Sequence, residues 1–288
     1  MIIKEKAYAK INISLDVLGL LPNGYHEMSM VMQSVSLWDD VEIELNSTGE
    51  VRCISGLDYL PEGEGNIAVR AARSVLAAAG MEGTGATIRL TKRIPICAGL
   101  GGGSSDGAAV LRGLNRLCGD KFTRAELEAM AAGIGSDIPF CVAGGTQKAT
   151  GTGTTLEDLP PLPDCAIVIC KPPFSIRTPE LFSKIDSRRS RLHPDTAGII
   201  AALGAGDITG VARRMFNVFE DVLPRSAGDI ALLKGELLSL GAAGSVMSGT
   251  GSALFGVFDA PEKAEKAYAA LKSRIGECYL TKPVGKLM

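Results

Sequence analysis

From Ala7 onward the chain alternates without a break, with Ala9, Ile11, Ile13, Leu15 and Val17 on one side and Tyr8, Lys10, Asn12, Ser14 and Asp16 on the other. A period of two is that of an extended strand with one face buried. The same period returns at Val41, Ile43 and Leu45 and again at Ala86, Ile88 and Leu90. Between the first two runs, Asn23-Gly24 is a hairpin-turn signal. Helical spacing sets in over Ile67 to Ala79, where Asn66 can cap the first turn and Gly80 can end the last. Val110, Leu111, Leu114, Leu117 and Cys118 predict a second helix, and Thr123 with Glu126 forms a capping box for a third, running to about Ala132. In G-S-D-I-P-F, residues 135–140, Pro139 and its polar lead-in predict a helix start with Ser136 or Asp137 as the cap.

Farther on, Gly144 to Thr155 predicts a strand with a wide turn, and Pro160, Pro161 and Pro163 stiffen a connector. Cys165 to Cys170 is a continuous apolar run, the pattern of a strand buried on both faces. A helix is expected from Thr178, with Pro179 in its first turn. Residues 195–240 read as helices broken by glycine and proline, with Arg213, Arg214, Asn217 and Glu220 among the polar positions. Ser245 to Ser252 is glycine-rich, and a strand (Ala253 to Phe258), a helix (Glu262 to Arg274) and a strand (Glu277 to Lys282) close the chain. With no regular βαβ repeat, the fold class is α+β in two domains, residues 1–158 and 159–288.

Composition narrows the ligand classes. The 288 residues are 46% hydrophobic, enough for two cores, and the net charge of -2 offers no broad basic surface for nucleic acid or a membrane. Any anionic ligand must be met by local donors. The N-terminus M-I-I-K-E-K-A-Y-A-K has charges where a signal peptide needs an apolar run, and no apolar stretch reaches membrane-spanning length, so a soluble cytoplasmic protein is expected. Seven scattered cysteines without a C-x-x-C pair suit reduced thiols. The two histidines, His26 and His193, lie far apart and form no H-E-x-x-H, which argues against a zinc site.

The 35 glycines exceed the roughly 20 expected at ordinary usage, and many concentrate at 99–107, 144–153 and 241–251. The first cluster belongs to P-I-C-A-G-L-G-G-G-S-S, Pro95 to Ser105, which runs into a helical pattern. Such a loop can turn its N–H groups toward a ligand at the positive end of a helix dipole, making an anion site. It is neither G-x-x-x-x-G-K-[ST] nor G-x-G-x-x-G, so a different phosphate cradle is implied. For glycine-rich loops in general a flexible helix entrance capped by serine is an equal alternative, and four glycines within one turn of the helix start tilt this one toward phosphate. Lys10 and Asn12 can likewise be an exposed strand face, His26 a surface turn end and Asp137 a helix cap.

Four motifs occur in order: A-K-I-N-I-S-L at 9–15, N-G-Y-H at 23–26, G-L-G-G-G-S-S-D at 99–106 and G-S-D-I-P-F at 135–140. With the late loop Ser245 to Ser252, they resemble the GHMP kinases, ATP-dependent kinases of small molecules, over nearly the whole chain. Within that superfamily the resemblance points to the branch acting on a cytidyl diphosphate ester of methylerythritol. It implies an N-terminal domain like ribosomal S5 domain 2, a ferredoxin-like C-terminal domain, and a cleft between them. The implied reaction moves the γ-phosphoryl group of ATP to the 2-hydroxyl of the erythritol moiety, in the non-mevalonate route to isoprenoid precursors.

Residue by residue, the resemblance makes Asp137 and Lys10 the catalytic pair. Asn12, Tyr25, His26 and Phe182 become substrate contacts. The ATP site is implied at Pro95, Ile96, Cys97, Ala98, Gly99, Leu100, Gly101, Gly102, Gly103, Ser104 and Ser105, with Asn66 and Lys92. Mg2+ is expected with ATP, and Ser105 is the candidate hydroxyl ligand, although no motif fixes an acidic partner. Cys97 and Ala98 depart from the family pattern, which often has glycine there. A homoserine- or mevalonate-type kinase, or a regulator that binds nucleotide without catalysis, is the alternative reading. The oligomeric state is left open.

Overall fold

The computed structural model describes residues 2–188, 192–224 and 227–288, so residues 225–226 of the stretch read as helical lie outside it. Strands β1 (Ile2–Leu20) and β2 (His26–Asn46) form a long antiparallel hairpin, paired from Ile2 opposite Glu44 to Leu20 opposite His26. Next come β3 (Val51–Ile54), α1 (Ile67–Ala78), β4 (Gly85–Thr91), α2 (Gly102–Leu117), α3 (Arg124–Ala132) and α4 (Ile138–Ala143). The hairpin β5 (Thr146–Gly151) and β6 (Thr155–Asp158) ends this half. The first sheet runs β3-β4-β2-β1, and β5 joins it on β2 with β6 beyond. Asn66 caps α1 through Ala68 N–H at 3.0 Å, and the Thr123–Glu126 capping box is present. Such caps contribute about 1 kcal/mol each.

The second half carries β7 (Ala166–Lys171), α5 (Thr178–Asp186), α6 (Thr196–Gly204), α7 (Ile208–Ala212) and the two-residue β8 (Phe216–Asn217), which leads into a 3-10 turn at Val218–Val222. After it follow α8 (Gly228–Ser239), β9 (Gly244–Met247), β10 (Leu254–Phe258), α9 (Pro261–Lys272) and β11 (Glu277–Thr281). Its antiparallel sheet runs β11-β7-β10-β9, the order of a ferredoxin-like unit. Strand β8 is no part of that sheet. It pairs in parallel with β1, Ser14 opposite Phe216 and Leu15 opposite Asn217.

The unbroken alternation expected along β1 is interrupted. Its pairing with β2 slips between Tyr8 and Lys10 and again between Asn12 and Ser14. Ala7, Leu15 and Val17 consequently join the core under α1 and α2, whereas Ala9, Ile11 and Ile13 join a second core with Ile167, Ile169 and Phe255 of the other sheet. Both faces of β1 are covered, so each slip moves apolar side chains from one core to the other. Lys10 and Leu15 thereby line one cleft despite their opposite parity.

Helix α4 is buried along its whole length, and burial of Phe140 alone contributes about 2 kcal/mol. Its C-terminal carbonyls are held by two distant pieces of chain. The buried Arg112 guanidinium donates to Cys141 O at 2.7 Å, and the tail after β11 returns to place Leu287 N–H on Ala143 O at 2.8 Å. This fixes the helix that starts beside Asp137.

Candidate active site

The glycine loop lies at the seam of the two sheets, and three consecutive carbonyls anchor it. Ala253 N–H donates to Ala98 O at 3.1 Å, Ser248 Oγ–H to Gly99 O at 2.8 Å, and Lys10 N–H to Leu100 O at 3.0 Å. The N–H groups of Gly102, Gly103 and Ser104, in the first turn of α2, precede its first hydrogen bond, Ser105 N–H to Gly101 O at 2.8 Å. Those donors, at the unpaired start of α2, make an anion cradle. Glycine is required where the packing is closest: a Cβ on Gly99 (φ +76°) would lie 2.0 Å from Ser248 O, and one on Gly101 (φ +69°) 2.9 Å from Lys10 Cγ.

Two cavities of about 360 Å³ each share the loop as a wall. The first is lined by Pro95 to Ser104 with Asn66 and Lys92, and the second by Lys10, Asp137, Met28, Phe182 and Thr250. Gly99, Gly101 and Ser104 border both. A group bridging the two cavities must therefore pass the cradle.

Lys10 and Asp137 meet in the second cavity. Lys10 Nζ lies 3.4 Å from Asp137 Oδ2 and donates to Asn12 Oδ1 at 2.7 Å. The lysine side chain is 4% exposed and the aspartate 32%, so the carboxylate is the open member of the pair. Asp137 occupies the cap position of α4 with backbone angles of -84° and -11°, and its side chain makes no capping bond. The local reading as a cap fails, because that geometry leaves the carboxylate free for the cleft.

Several expected contacts take other positions. Asn12 is fully buried, giving its amide oxygen to Lys10 and its Nδ2–H to Met30 Sδ at 3.4 Å, so it lies beneath the cleft as a support for the lysine. His26 and Phe182 come together from opposite halves, ring centroids 4.4 Å apart, with Phe182 edge-on to Phe219 at 5.0 Å. His26 Nε2 sits 2.8 Å from Asp186 Oδ1. Tyr25, one residue away, is exposed on the turn.

On the nucleotide side, Asn66 lines the cavity with both ends of its amide engaged, by Ala68 N–H and by Pro61 O at 2.9 Å. Lys92 lies in the same wall, held at 2.5 Å from both Asp39 and Asp106. Burial pushes the Asp106 carboxyl up to about 7, opposed by the Lys92 charge and reinforced by Asp39. Burial opposes the Lys92 charge, but the two aspartates outweigh it and leave that group above its ordinary value.

Ser105 corrects an expectation. It is 1% exposed and its hydroxyl donates to Tyr8 O at 2.7 Å, tying α2 to β1, so it is not available as a magnesium ligand. Among the described residues no group of three or more His, Cys, Asp or Glu gathers to hold a metal. A magnesium ion carried by ATP phosphates needs no such cage, only one or two protein oxygens, and Asp137 is the carboxylate open to the cavity beside the loop.

Sequence reasoning assigned no role to Ser248, Thr178 or Thr250. The two threonine hydroxyls meet at 2.9 Å, linking α5 to the second glycine loop. The glycine cluster at 241–251 pointed to that loop but not to these partners. No helix among the described residues is long and apolar enough to cross a membrane.

A glycine cradle opening α2, set against a ferredoxin-like half with a lysine–carboxylate pair between them, is the arrangement of a small-molecule kinase. The family model for the GHMP kinases N terminal domain matches residues 66–145, and that for the GHMP kinases C terminal region matches residues 199–277. A 4-diphosphocytidyl-2-C-methyl-D-erythritol kinase from Acetivibrio thermocellus is 41% identical over 98% of this chain and 99% of its own. A crystal structure of 4-(cytidine 5'-diphospho)-2C-methyl-D-erythritol kinase aligns with TM-score 0.83 and 33% identity over 98% of this chain and all of that one (100%). The homoserine kinase from Cytophaga hutchinsonii shares the fold at TM-score 0.76 and 23% identity, covering 99% of this chain and 95% of that one. The chain belongs to the GHMP kinase family, among its 4-diphosphocytidyl-2-C-methyl-D-erythritol kinases.

Proposed function

We propose that the protein transfers the γ-phosphoryl group of ATP to the 2-hydroxyl of 4-diphosphocytidyl-2-C-methyl-D-erythritol, in the cytoplasm, on the non-mevalonate route to isoprenoid precursors. The observation that carries this reading is the Lys10–Asp137 pair at 3.4 Å in a cavity that shares the glycine loop with a second cavity. ATP enters along Pro95 to Ser104, with its terminal phosphates at the shared wall. The acceptor alcohol approaches from the other side.

Phosphoryl transfer asks a protein mainly for positioning and charge stabilisation. The N–H groups of Gly102 to Ser104, at the start of α2, meet phosphate oxygens without reorganising. Asp137 receives the proton of the attacking hydroxyl, a role worth about 10²–10⁴-fold when the base is within hydrogen-bond reach. Lys10 places positive charge beside both the carboxylate and the oxygen in flight, and Asn12 holds the amine there. His26 and Phe182 supply a polar edge and a flat face for the cytosine, with Tyr25 closing over it from the turn. We also divide the chain at residue 158, a nucleotide half before it and a ferredoxin-like half after it.

A coupled assay of ADP release tests the reading. Release should require the cytidyl diphosphate substrate and should not be supported by homoserine or mevalonate. Equal release with either of those, or none with the cytidyl compound, overturns it.

A further inference from the structure

Asn217 and Glu220 stand out in the sequence as polar residues in a mostly apolar stretch, and the reaction as described leaves them unused. Asn217 is 2% exposed and every polar group of its side chain is engaged. Its Nδ2 donates to Met247 O and to Gly249 O, each at 2.7 Å, while its Oδ1 accepts from Phe219 N–H at 3.0 Å. Glu220 adds Met247 N–H on its Oε1 at 2.7 Å. Both residues thus grip the start of the second glycine loop.

That loop presses on the catalytic groups. Ser248 Oγ–H donates to Gly99 O at 2.8 Å, and Ser248 Oγ accepts from Asn12 N–H at 3.3 Å. A Cβ on Gly249 would lie 3.1 Å from Gly99 Cα and 3.4 Å from Lys10 Nζ. The backbone of Asn217 pairs with Leu15 of β1, the strand that carries Lys10. One residue therefore joins the lysine's strand through its backbone and the second loop through its carboxamide, and through that loop it reaches the phosphate cradle.

We propose that Asn217 is a positioning residue for phosphoryl transfer, fixing the 247–251 loop so that Lys10 and the cradle keep their spacing. The proposal rests on Lys10 and Asp137 being the reacting pair. Asn217→Asp keeps volume and the acceptor for Phe219 N–H, but it replaces two N–H donors with an oxygen facing two carbonyls. Displacement of reacting groups on the scale of an ångström costs up to about 10²-fold, so kcat should fall about tenfold or more with both KM values within about threefold of wild type.

Ser248→Ala removes the second link without adding volume and should behave alike, which keeps the test open if Asn217→Asp does not fold. Folding is checked by circular dichroism and thermal melting. A folded Asn217→Asp or Ser248→Ala protein with kcat within about twofold of wild type overturns the proposal, as does a rise in KM with kcat unchanged. Asp137→Asn in the same assay separates the two readings. If it loses turnover while both other variants keep theirs, only the role of Asn217 falls, and if it retains turnover, the reading of the pair falls too.

Discussion

Lys10 Nζ stands 3.4 Å from Asp137 Oδ2, one side chain rising from a strand with its register slipped on either side and the other from an uncapped helix start. The amine is buried and has one further partner, Asn12 Oδ1. Lys10→Met preserves the stem and removes the charge, so it should lower kcat about 10²–10³-fold. It also leaves the Asn12 amide oxygen buried without a donor, which should cost about 1–3 kcal/mol of stability. Steady-state kinetics and a denaturant melt check the two effects separately. A loss of stability with kcat retained would make Lys10 structural only.

Cys97 holds φ +52° in the nucleotide loop, in the left-handed region that favours glycine. Relieving that strain exceeds the extra chain entropy glycine loses on folding, so Cys97→Gly should stabilise the protein by roughly 1 kcal/mol, or ~2 °C in Tm. Gly99→Ala should do the reverse and abolish ATP turnover, because its Cβ would fall 2.0 Å from Ser248 O. Calorimetry on both proteins decides the sign of each.

Asp186 accepts from or pairs with His26 Nε2 at 2.8 Å, which biases the proton of a neutral imidazole to that nitrogen and leaves Nδ1 as an acceptor. Asp186→Ala should raise KM for the cytidyl substrate about tenfold and leave KM for ATP unchanged. An equal change in both would place the histidine outside the substrate site.

Asp158 joins α3 to the returning tail through Arg124 at 2.9 Å and Lys286 at 2.8 Å. The Arg124 hydrogen bond, helped by Lys286, holds its carboxyl down at about 2, below the ordinary 3.8. A carboxyl lowered by folding contributes stability above its unfolded value and loses that contribution as pH falls through the folded one. Asp158→Asn should therefore melt below wild type at neutral pH, with the gap constant above about pH 5 and closing between about pH 4 and pH 2. Thermal melts of the two proteins across that range test it.

Much of this architecture was legible from periodicity and punctuation. Asn66 and the Thr123–Glu126 pair announce their helices because capping is a local hydrogen-bonding matter. What could not be read was set by packing between distant segments. The alternation from Ala9 to Val17 looks like one continuous face, yet a slip between Asn12 and Ser14 divides it between two cores. Strand β8 has only two residues and owes its existence to β1, so no period marks it. In the site, the motif drew attention to Ser105 by its place in the loop, but the first turn of α2 rotates that hydroxyl onto Tyr8 O. Asn12 is similarly a motif residue whose amide is used internally.

The central claim is that Asp137 is the base for the acceptor hydroxyl, and Asp137→Asn tests it most directly because it preserves shape while removing the carboxylate. Single-turnover phosphoryl transfer should fall by about 10²-fold or more, while titration calorimetry still finds ATP and the cytidyl substrate bound with near wild-type affinity. Transfer at a rate close to wild type would contradict the account.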